Sequence, residues 1–340
     1  MKKPTDFSYA LTKFLTDYLA GLCNFSENTI CSYRDTFKLL LLFFNDEIGI
    51  PAESLKFDDV MPERIEAFLR WLKESRGSSI STCNQRLAAI HTFFRYSQYE
   101  HPELTVRCQQ ILFMKFAKVP QKEISYLSID GVKSLFEIPD VRTVKGRREL
   151  AILTLLYDSG ARVQEIVDLR AGDIRLAPPS TVRLTGKGRK SRNVPLLDGN
   201  VAILAAYMND QKRYLTTKDD YLFLNHSHRK MTRAGINYIL QKNVDAAYRL
   251  HPDLIPEQIT PHCLRHTKAM HLLQGGVNLI YIRDFLGHVD VKTTQVYAKA
   301  DVTLKRKAIE AANLVKVPSR PDSWTDDEDL MQWLVSLGKK

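Results

Sequence analysis

Four polar side chains late in the chain have the types that chemistry on a phosphate group requires. His262 and Arg265 form an H-x-x-R motif. His288 lies 26 residues after His262, and Tyr297 follows after 9 more. An arginine fork can bind two non-bridging phosphate oxygens, and a tyrosine hydroxyl can attack phosphorus once a base takes its proton. The alternative is an amphipathic helical stretch whose histidines belong to its core.

Two further basic residues lie much earlier. Arg162 follows a tight break in the apolar segment LLYDSGARVQEIV, and Lys187 lies 25 residues later in the basic segment GKGRKS. Glu165 is one helical turn from Arg162, so a partly buried salt bridge is the alternative role for that arginine. The order and spacing of these groups weaken that alternative and favour a shared site.

Two other kinds of site are excluded by their residue types. A Walker phosphate loop needs glycine where Thr181 stands and serine or threonine where Gly188 stands. A zincin helix needs glutamate directly after its first histidine, whereas Cys263 follows His262 and Arg265 would repel a cation. We therefore expect neither a nucleotide nor a metal at these positions.

Taken in order, the motifs resemble those of the tyrosine recombinase (phage integrase) family. The matching segments lie between about residue 124 and residue 299: SGARVQEIVDL, TGKGRKSRNVPL, TPHCLRH, LGH and TTQVYAK. Gln164 and Lys268 depart from the family's common residue types, but neither is a presumed catalytic group. The resemblance implies a covalent 3′-phosphotyrosine intermediate without metal, ATP or another cofactor. It implies these catalytic residues: Arg162, Lys187, His262, Arg265, His288 and Tyr297.

The chemistry assigns a role to most of these groups. The phenol of Tyr297, whose ordinary pKa is about 10, needs a base at neutral pH, and His262 is the candidate. Arg162 and Arg265 would stabilise the charge that the attacked phosphate gathers. Lys187 would give a proton to the leaving 5′ oxygen.

The remaining polar groups of this region are given supporting roles. His288 would donate a hydrogen bond to the phosphate, and Glu165 would orient the basic groups around it. His266 and His271 are predicted to be structural. The basic hairpin residues are predicted to hold the DNA backbone, with Lys190 as the fallback acid: Arg189, Lys190 and Arg192.

The elements that position these groups divide into two predicted domains. Helical periodicity dominates the first hundred residues and fades around residues 104–124, where QKEISYLS predicts a connection. Apolar and polar residues alternate on both sides of the turn at 186–188, which predicts a β-hairpin within a second, otherwise helical domain. The expected fold is mainly α (α+β): an N-terminal helical, SAM-like core-binding domain over 1–118, a linker over 119–123, and a catalytic domain over 124–313.

A helix predicted from about residue 81 opens with polar residues before its apolar stripe begins. Such side chains could contact phosphates and base edges if the helix end enters a DNA groove. The alternative is the polar first turn that most helices have. The candidate DNA-binding residues are Thr82, Asn84, Gln85 and Arg86.

The distribution of charge and the number of cysteines limit the classes of function that the chain can have. Residues 119–300 hold 27 Lys and Arg against 18 Asp and Glu, which accounts for +9 of the net charge of +10. Such an asymmetric basic excess is typical of a nucleic-acid-binding domain, although solvated basic faces also produce it. Five scattered cysteines without a C-x-x-C pair indicate reduced thiols, and no segment has the length of a membrane span or an apolar signal core. We expect a cytoplasmic protein.

The segment 314–340 reads as a linker followed by a short amphipathic helix. Two alternatives remain for the apolar face of this helix. It packs within its own chain, or it docks on a neighbouring protomer, as the terminal helix of related recombinases does. The residues of that face are Leu330, Trp333, Leu334 and Leu337.

The resulting prediction is a site-specific DNA recombinase that acts as a homo-tetramer on double-stranded DNA, with integration or transposition of a mobile element as its purpose. Three alternatives stay open. They are resolution of replicon dimers as in Xer recombinases, strand relaxation as in type IB topoisomerases, and DNA binding without catalysis.

Overall fold

The protein is described here from a computed structural model covering residues 4–22, 25, 27–120, 125–186, 188, 190–288, 290, 292–300 and 328–337. The chain separates into two compact units, Met1–Lys122 and Glu123–Lys340. Within the described ranges, no helix combines the length and apolar character that crossing a bilayer requires.

The first unit is built from helices. They are α1 (Asp6–Lys13), continued by a π-helical segment (Phe14–Leu22), α2 (Glu27–Phe43), continued by Phe44–Ile48, α3 (Pro62–Glu74), α4 (Ile80–Glu100) and α5 (Thr105–Leu112), with 3-10 turns at Phe57–Asp59 and Pro102–Leu104. The hydroxyl of Ser79 caps α4 by accepting from the Thr82 amide at 3.1 Å.

Aromatic rings fill the core of this unit. Phe93 of α4 lies at its centre, with ring centroids of Phe7, Phe14, Phe37 and Phe57 at 5.1 to 5.9 Å. Most of these pairs are edge-to-face, the geometry that the ring quadrupoles favour. The core therefore fixes α4 against α1 and α2, and with it the polar first turns of α4.

Helix α5 (Thr105–Leu112) lies in the stretch where the periodicity of the sequence fades, and within the range 1–118 for which a helical domain was predicted. Two buried residues, Cys108 and Ile111, attach α5 to the core. The helix has 8 residues, which gives too few turns for a clear apolar period. Tertiary packing against α4 supplies the stability that the local sequence lacks.

The second unit surrounds one buried helix. Its elements are α6 (Ile129–Glu137), α7 (Val144–Asp158), α8 (Val163–Val167), β1 (Ile174–Arg175), β2 (Thr181–Thr185), β3 (Ser191–Pro195), α9 (Asp198–Asp210), α10 (Arg233–Leu250), α11 (Pro261–Gln274), α12 (Leu279–Leu286), α13 (Lys292–Ala300) and α14 (Glu328–Ser336). All seven residues from 150 to 156 in α7 are buried, which makes this helix the centre of the core.

The predicted hairpin is present as β2 and β3 of a three-stranded antiparallel sheet with the order β1-β2-β3. Val182 pairs with Val194 and Leu184 with Arg192. Val182, Leu184 and Val194 are buried, and this alternation fixes which face of the hairpin packs on the core. The mainly helical fold with a small sheet is therefore confirmed.

Candidate active site

The C-terminal end of α12 is bound by three arginines that come from different parts of the sequence. Arg192 donates from Nε to the carbonyl of Phe285 at 2.8 Å, Arg265 from Nη2 to Leu286 at 2.7 Å, and Arg162 from Nη2 to Gly287 at 3.4 Å. Carbonyls at a helix C-terminus carry partial negative charge and lack helical partners, so cations are stabilised there. Three consecutive carbonyls thus gather the arginines at one place.

Arg265 is buried in this cluster, with 2 % of its surface exposed. Its position follows from α11, which begins at Pro261 after the cap Thr260. Its Nη1 donates to the carbonyl of Gly160 at 2.6 Å, so the guanidinium joins the end of α7 to the end of α12. Burial and then the charge of Arg162 lower the Arg265 pKa to about 10, which leaves it charged at neutral pH.

Glu165 lies between the two other arginines, and its side chain is 3 % exposed. Its carboxylate accepts from the backbone and guanidinium of Arg162 at 2.9 and 3.0 Å. It also accepts from both terminal nitrogens of Arg192 at 3.0 and 2.9 Å. Burial alone would raise the Glu165 pKa, but the Arg192 hydrogen bonds and charge, with those of Arg162, hold it below its usual value. The carboxylate stays ionised and fixes both arginines.

Tyr297 of α13 is buried, with 2 % exposure, in a small apolar cluster. Its hydroxyl lies 2.8 Å from Nδ1 of His266. Burial raises the Tyr297 pKa, and the charges of Arg265 and Arg162 partly offset that rise. The phenol is therefore protonated at neutral pH and close to a histidine that the sequence predicted to be structural.

The two histidines with predicted roles flank this pair. The ring of His262 lies 5.7 Å from that of His266, nearly parallel to it. The ring of His288 lies 6.5 Å from that of Tyr297, and its Nδ1 is 3.0 Å from the hydroxyl of Thr294. Burial, followed by the charges of Arg265 and then Arg162, lowers the pKa of both histidines, to about 4 for His288. Both are neutral at pH 7.

The structure thus brings together the predicted residues Arg162, Glu165, Arg265, His288 and Tyr297, with His262 beside them. Lys187 and Arg189 lie outside the described residues. Lys190 is exposed in the hairpin turn. The contact between His266 and Tyr297 was missed because 31 residues separate them and no local pattern links the two positions.

Arg192 differs from the surface phosphate contact predicted for it. Its side chain is 13 % exposed and is engaged by Glu165 and by the Phe285 carbonyl. The strand explains this, because position 192 opposes Leu184, whose side chain packs on the core face of the hairpin. A DNA contact by Arg192 stays a prediction.

The candidate DNA-binding residues of α4 have partners within their own unit. Asn84 exchanges two hydrogen bonds with the backbone of Ala117, at 2.8 and 2.9 Å. Arg86 donates from Nη1 to the Ser32 carbonyl and the Thr36 hydroxyl, both at 2.9 Å. These contacts organise α2 and the segment after α5, and the predicted DNA contacts remain untested.

The other two candidates on α4 make weaker or local contacts. Gln85 Nε2 lies 3.3 Å from the hydroxyl of Ser32, and the hydroxyl of Thr82 lies 2.9 Å from that of the capping Ser79. The Gln85–Ser32 and Thr82–Ser79 contacts are exposed. Gln85 and Thr82 therefore remain available to a ligand at the start of α4.

The predicted tail helix is present as α14. Trp333, Leu334 and Leu337 are 57, 41 and 59 % exposed, and Val335 is 63 % exposed. The side chain of Leu330 lies outside what the structure describes. Within the described part of the chain, no three His, Cys, Asp or Glu side chains form a group that could hold a metal ion.

Residues 125–303 match the phage integrase family, and residues 12–101 match the phage integrase N-terminal SAM-like domain. The chain belongs to the phage integrase family. The predicted membership in the tyrosine recombinase family is thereby confirmed. This family match covers the arginine cluster and the Tyr297 pocket, and the SAM-like match covers most of the first unit.

Two curated members of the phage integrase family are similar over most of their length. A putative integrase/recombinase, y4rC, of Sinorhizobium fredii is 33 % identical over 337 residues, which are 99 % of this chain and 100 % of that protein. Tyrosine recombinase XerC of Herpetosiphon aurantiacus is 32 % identical over 84 % of this chain and 89 % of its own.

Two solved structures share the integrase fold. The Tn1549 transposon integrase in complex with transposon right end DNA matches with a TM-score of 0.68 at 18 % identity, covering 88 % of this chain and 98 % of that one. XerH site-specific recombinase bound to its palindromic difH substrate matches with a TM-score of 0.66 at 23 % identity, covering 88 % and 83 %.

Proposed function

We propose that this protein is a site-specific DNA recombinase that cleaves and rejoins DNA strands through Tyr297. The observation that carries the proposal is the gathering of Arg162 and Arg265 at the C-terminal end of α12, in the same region as the buried phenol of Tyr297, whose pKa their charges lower. In this reaction the Tyr297 oxygen forms a bond to phosphorus and the bond to the 5′ oxygen breaks. The bond energy is retained in the 3′-phosphotyrosine, so rejoining requires no ATP.

The arginines would stabilise the phosphate as it gathers charge. Arg265 is fixed by two carbonyls and Arg162 by Glu165, so neither needs to reorganise when the charge develops. Neutral His288 can donate one hydrogen bond to a non-bridging oxygen while Thr294 holds its Nδ1. Lys187, on the hairpin turn, is assigned the proton transfer to the leaving 5′ oxygen on sequence grounds alone.

The partner that we propose is double-stranded DNA carrying specific recombination sites. The basic excess of residues 119–300 supports it, because phosphate contacts by Lys and Arg supply most non-specific DNA affinity. The XerH and Tn1549 integrase structures are described as DNA complexes, which supports the same partner. Cytoplasmic location, where the chain meets DNA, is part of this proposal.

Integration or transposition of a mobile element is the biological role that we favour. The putative integrase y4rC is similar over 99 % of this chain, a larger share than the 84 % covered by XerC. Resolution of replicon dimers is the second candidate, supported by the several XerC and XerD relatives at 31 to 33 % identity. Selection of the bound sequence from genomic fragments would separate them. Mobile-element ends favour the first role, and a single chromosomal site outside any mobile element favours the second.

We further propose a tetramer in which α14 docks on a neighbouring protomer. The exposed apolar side chains of α14 support this, because a helix of 9 residues has no core of its own in which to bury them. Trp333→Ala should lower assembly on DNA, whereas Gln332→Ala, an exposed neighbour on the same helix, should not. Sedimentation of protein–DNA complexes measures the difference, and equal assembly of both variants with wild type would exclude docking.

A nicked suicide substrate tests the enzymatic proposal. Loss of the short fragment beyond the cleavage site prevents rejoining, so the covalent protein–DNA adduct accumulates and can be counted on a denaturing gel. Wild type is expected to form the adduct and Tyr297→Phe to form none. Tyr281→Phe is the matched control, because Tyr281 of α12 is 71 % exposed and outside the site.

The suicide substrate, together with a plasmid relaxation assay, separates the remaining alternatives. If wild type forms no adduct on its selected binding sequence, the protein is a DNA-binding regulator without catalysis. If wild type relaxes a supercoiled plasmid that contains no paired sites, a type IB topoisomerase activity replaces the recombinase. An adduct on Tyr297→Phe would place the nucleophile elsewhere.

A further inference from the structure

The nucleophile and a second histidine of α11 form a pair that the motif-based assignment does not use. The Tyr297 hydroxyl and His266 Nδ1 are 2.8 Å apart, the distance of a good hydrogen bond between these groups. The His262 ring is nearly parallel to that of His266, with 5.7 Å between the ring centroids. The hydrogen-bond partner of the phenol is therefore His266, and His262 is the neighbour of that partner.

The protonation states around this pair suit transfer from Tyr297 to His266. The His266 pKa lies below its ordinary value, first because of burial and then because of His262 and Arg265 on its own helix. Tyr297 faces it from α13, and His288, which follows α12, also interacts with it electrostatically. A neutral imidazole beside a protonated phenol is the arrangement that general base catalysis requires.

We propose that His266 is the general base for Tyr297, an inference that rests on the proposed recombinase chemistry. The Tyr297 proton moves to His266 Nδ1 as the phenolic oxygen bonds to phosphorus, and the 5′ oxygen leaves with a proton from the general acid. In rejoining, the 5′ hydroxyl gives its proton back to the group that served as the general acid and attacks the phosphotyrosine, the bond between phosphorus and the Tyr297 oxygen breaks, and His266 returns its proton to that oxygen. His262 is then left free to donate to the phosphate beside Arg265 and Arg162.

The pH dependence of single-turnover adduct formation on the nicked substrate tests this inference. His266→Ala should slow the reaction by about 10²–10⁴-fold at neutral pH, the contribution expected from a positioned base. Its rate should then rise with pH into the range where the phenol ionises in solution, whereas the wild-type rate should level off above the His266 pKa. His262→Ala should lower the rate without changing the shape of the profile.

A second variant distinguishes a base from a positioning contact. His266→Asn keeps a polar group near the position of Nδ1 and can hold the hydroxyl, but it cannot accept the proton. It should preserve the unfolding midpoint and DNA affinity of wild type and stay as slow as His266→Ala. Recovery of the wild-type rate in His266→Asn would overturn the inference, because positioning would then suffice.

Failure of this inference is distinguishable from failure of the proposed function. If wild type forms an adduct, Tyr297→Phe forms none, and His266→Ala keeps the wild-type rate and profile, only the role of His266 is refuted. If the altered profile appears in His262→Ala instead, His262 is the base. If wild type forms no adduct, the recombinase chemistry and the inference fail together.

Discussion

Replacing Glu165 by glutamine tests how the arginine cluster is held. The carboxylate accepts four hydrogen bonds, two from Arg192 and two from Arg162. Glutamine keeps one oxygen and turns an NH₂ group towards donors. The substitution therefore removes a charge and also places an N–H donor against the arginine N–H donors, at a side chain that is 3 % exposed.

The expected loss of stability follows from the burial of the partners. Arg192 is 13 % exposed, so the substitution leaves a buried, uncompensated cation, and breaking such a pair costs about 3–5 kcal/mol. Arg162 is 37 % exposed and recovers part of its solvation from water, so its pairing contributes little to that figure. We expect the Glu165→Gln loss to lie near the lower end, about 3 kcal/mol.

Hydrogen exchange of the α7–α8 amides measures this loss directly, because it reports the opening free energy of that region. Asp130→Asn is the control, since the Asp130–Lys133 pair is at least 67 % exposed on both sides and should contribute little. Because the Glu165 pKa is depressed, its contribution is complete above the unfolded pKa of about 4.3 and is lost as pH falls through the folded pKa. A loss equal to that of Asp130→Asn at pH 7 would refute the reasoning.

Three further substitutions have expected outcomes. Arg265→Lys keeps the charge, but a single ammonium group cannot reach the two carbonyls and a phosphate together. Adduct formation should therefore fall about 10²-fold or more. DNA binding, measured by gel shift, should persist. Asn84→Ala should speed hydrogen exchange at Ala117, and an unchanged exchange rate there would contradict the reciprocal contact. The His288 pKa is about 4 in the folded protein, so the free energy of unfolding should fall as the pH drops from about 6.5 towards 4. In His288→Asn, the free energy of unfolding should depend less on pH over this range, as measured by acid denaturation.

The sequence was informative where function constrains residue types in a fixed order. Arg162, Arg265 and Tyr297 were predicted to share a site because phosphate chemistry needs an arginine fork and a nucleophile, and because their order resembles that of the family; the structure brings the three into one region. The hairpin followed from alternation around the 186–188 turn, since a two-residue period survives in short segments. These features depend on local patterns or on residue types that few other roles demand.

The sequence was uninformative where a contact depends on packing between distant segments. The bond between His266 and Tyr297 joins two helices through α11–α13 packing, and no periodicity encodes it. Arg192 reads as one more basic residue in a basic loop, yet strand pairing turns it towards Glu165. A charged residue in a polar segment that resembles a surface loop can therefore be buried when its ion-pair partner lies on another element.

The arginine cluster would let the second unit form the proposed phosphate site before DNA arrives. A guanidinium has five N–H donors, and the bonds from Arg265 to Gly160 and Leu286 use two of them in fixed directions. The remaining donors on the same nitrogens keep a set orientation, so a phosphate can bind without displacing either carbonyl. The contacts that bind the ends of α7 and α12 together are thus the same contacts that orient the Arg265 guanidinium, for which we propose a catalytic role. Any change that separates the two helix ends should reduce the cleavage rate before it reduces DNA affinity.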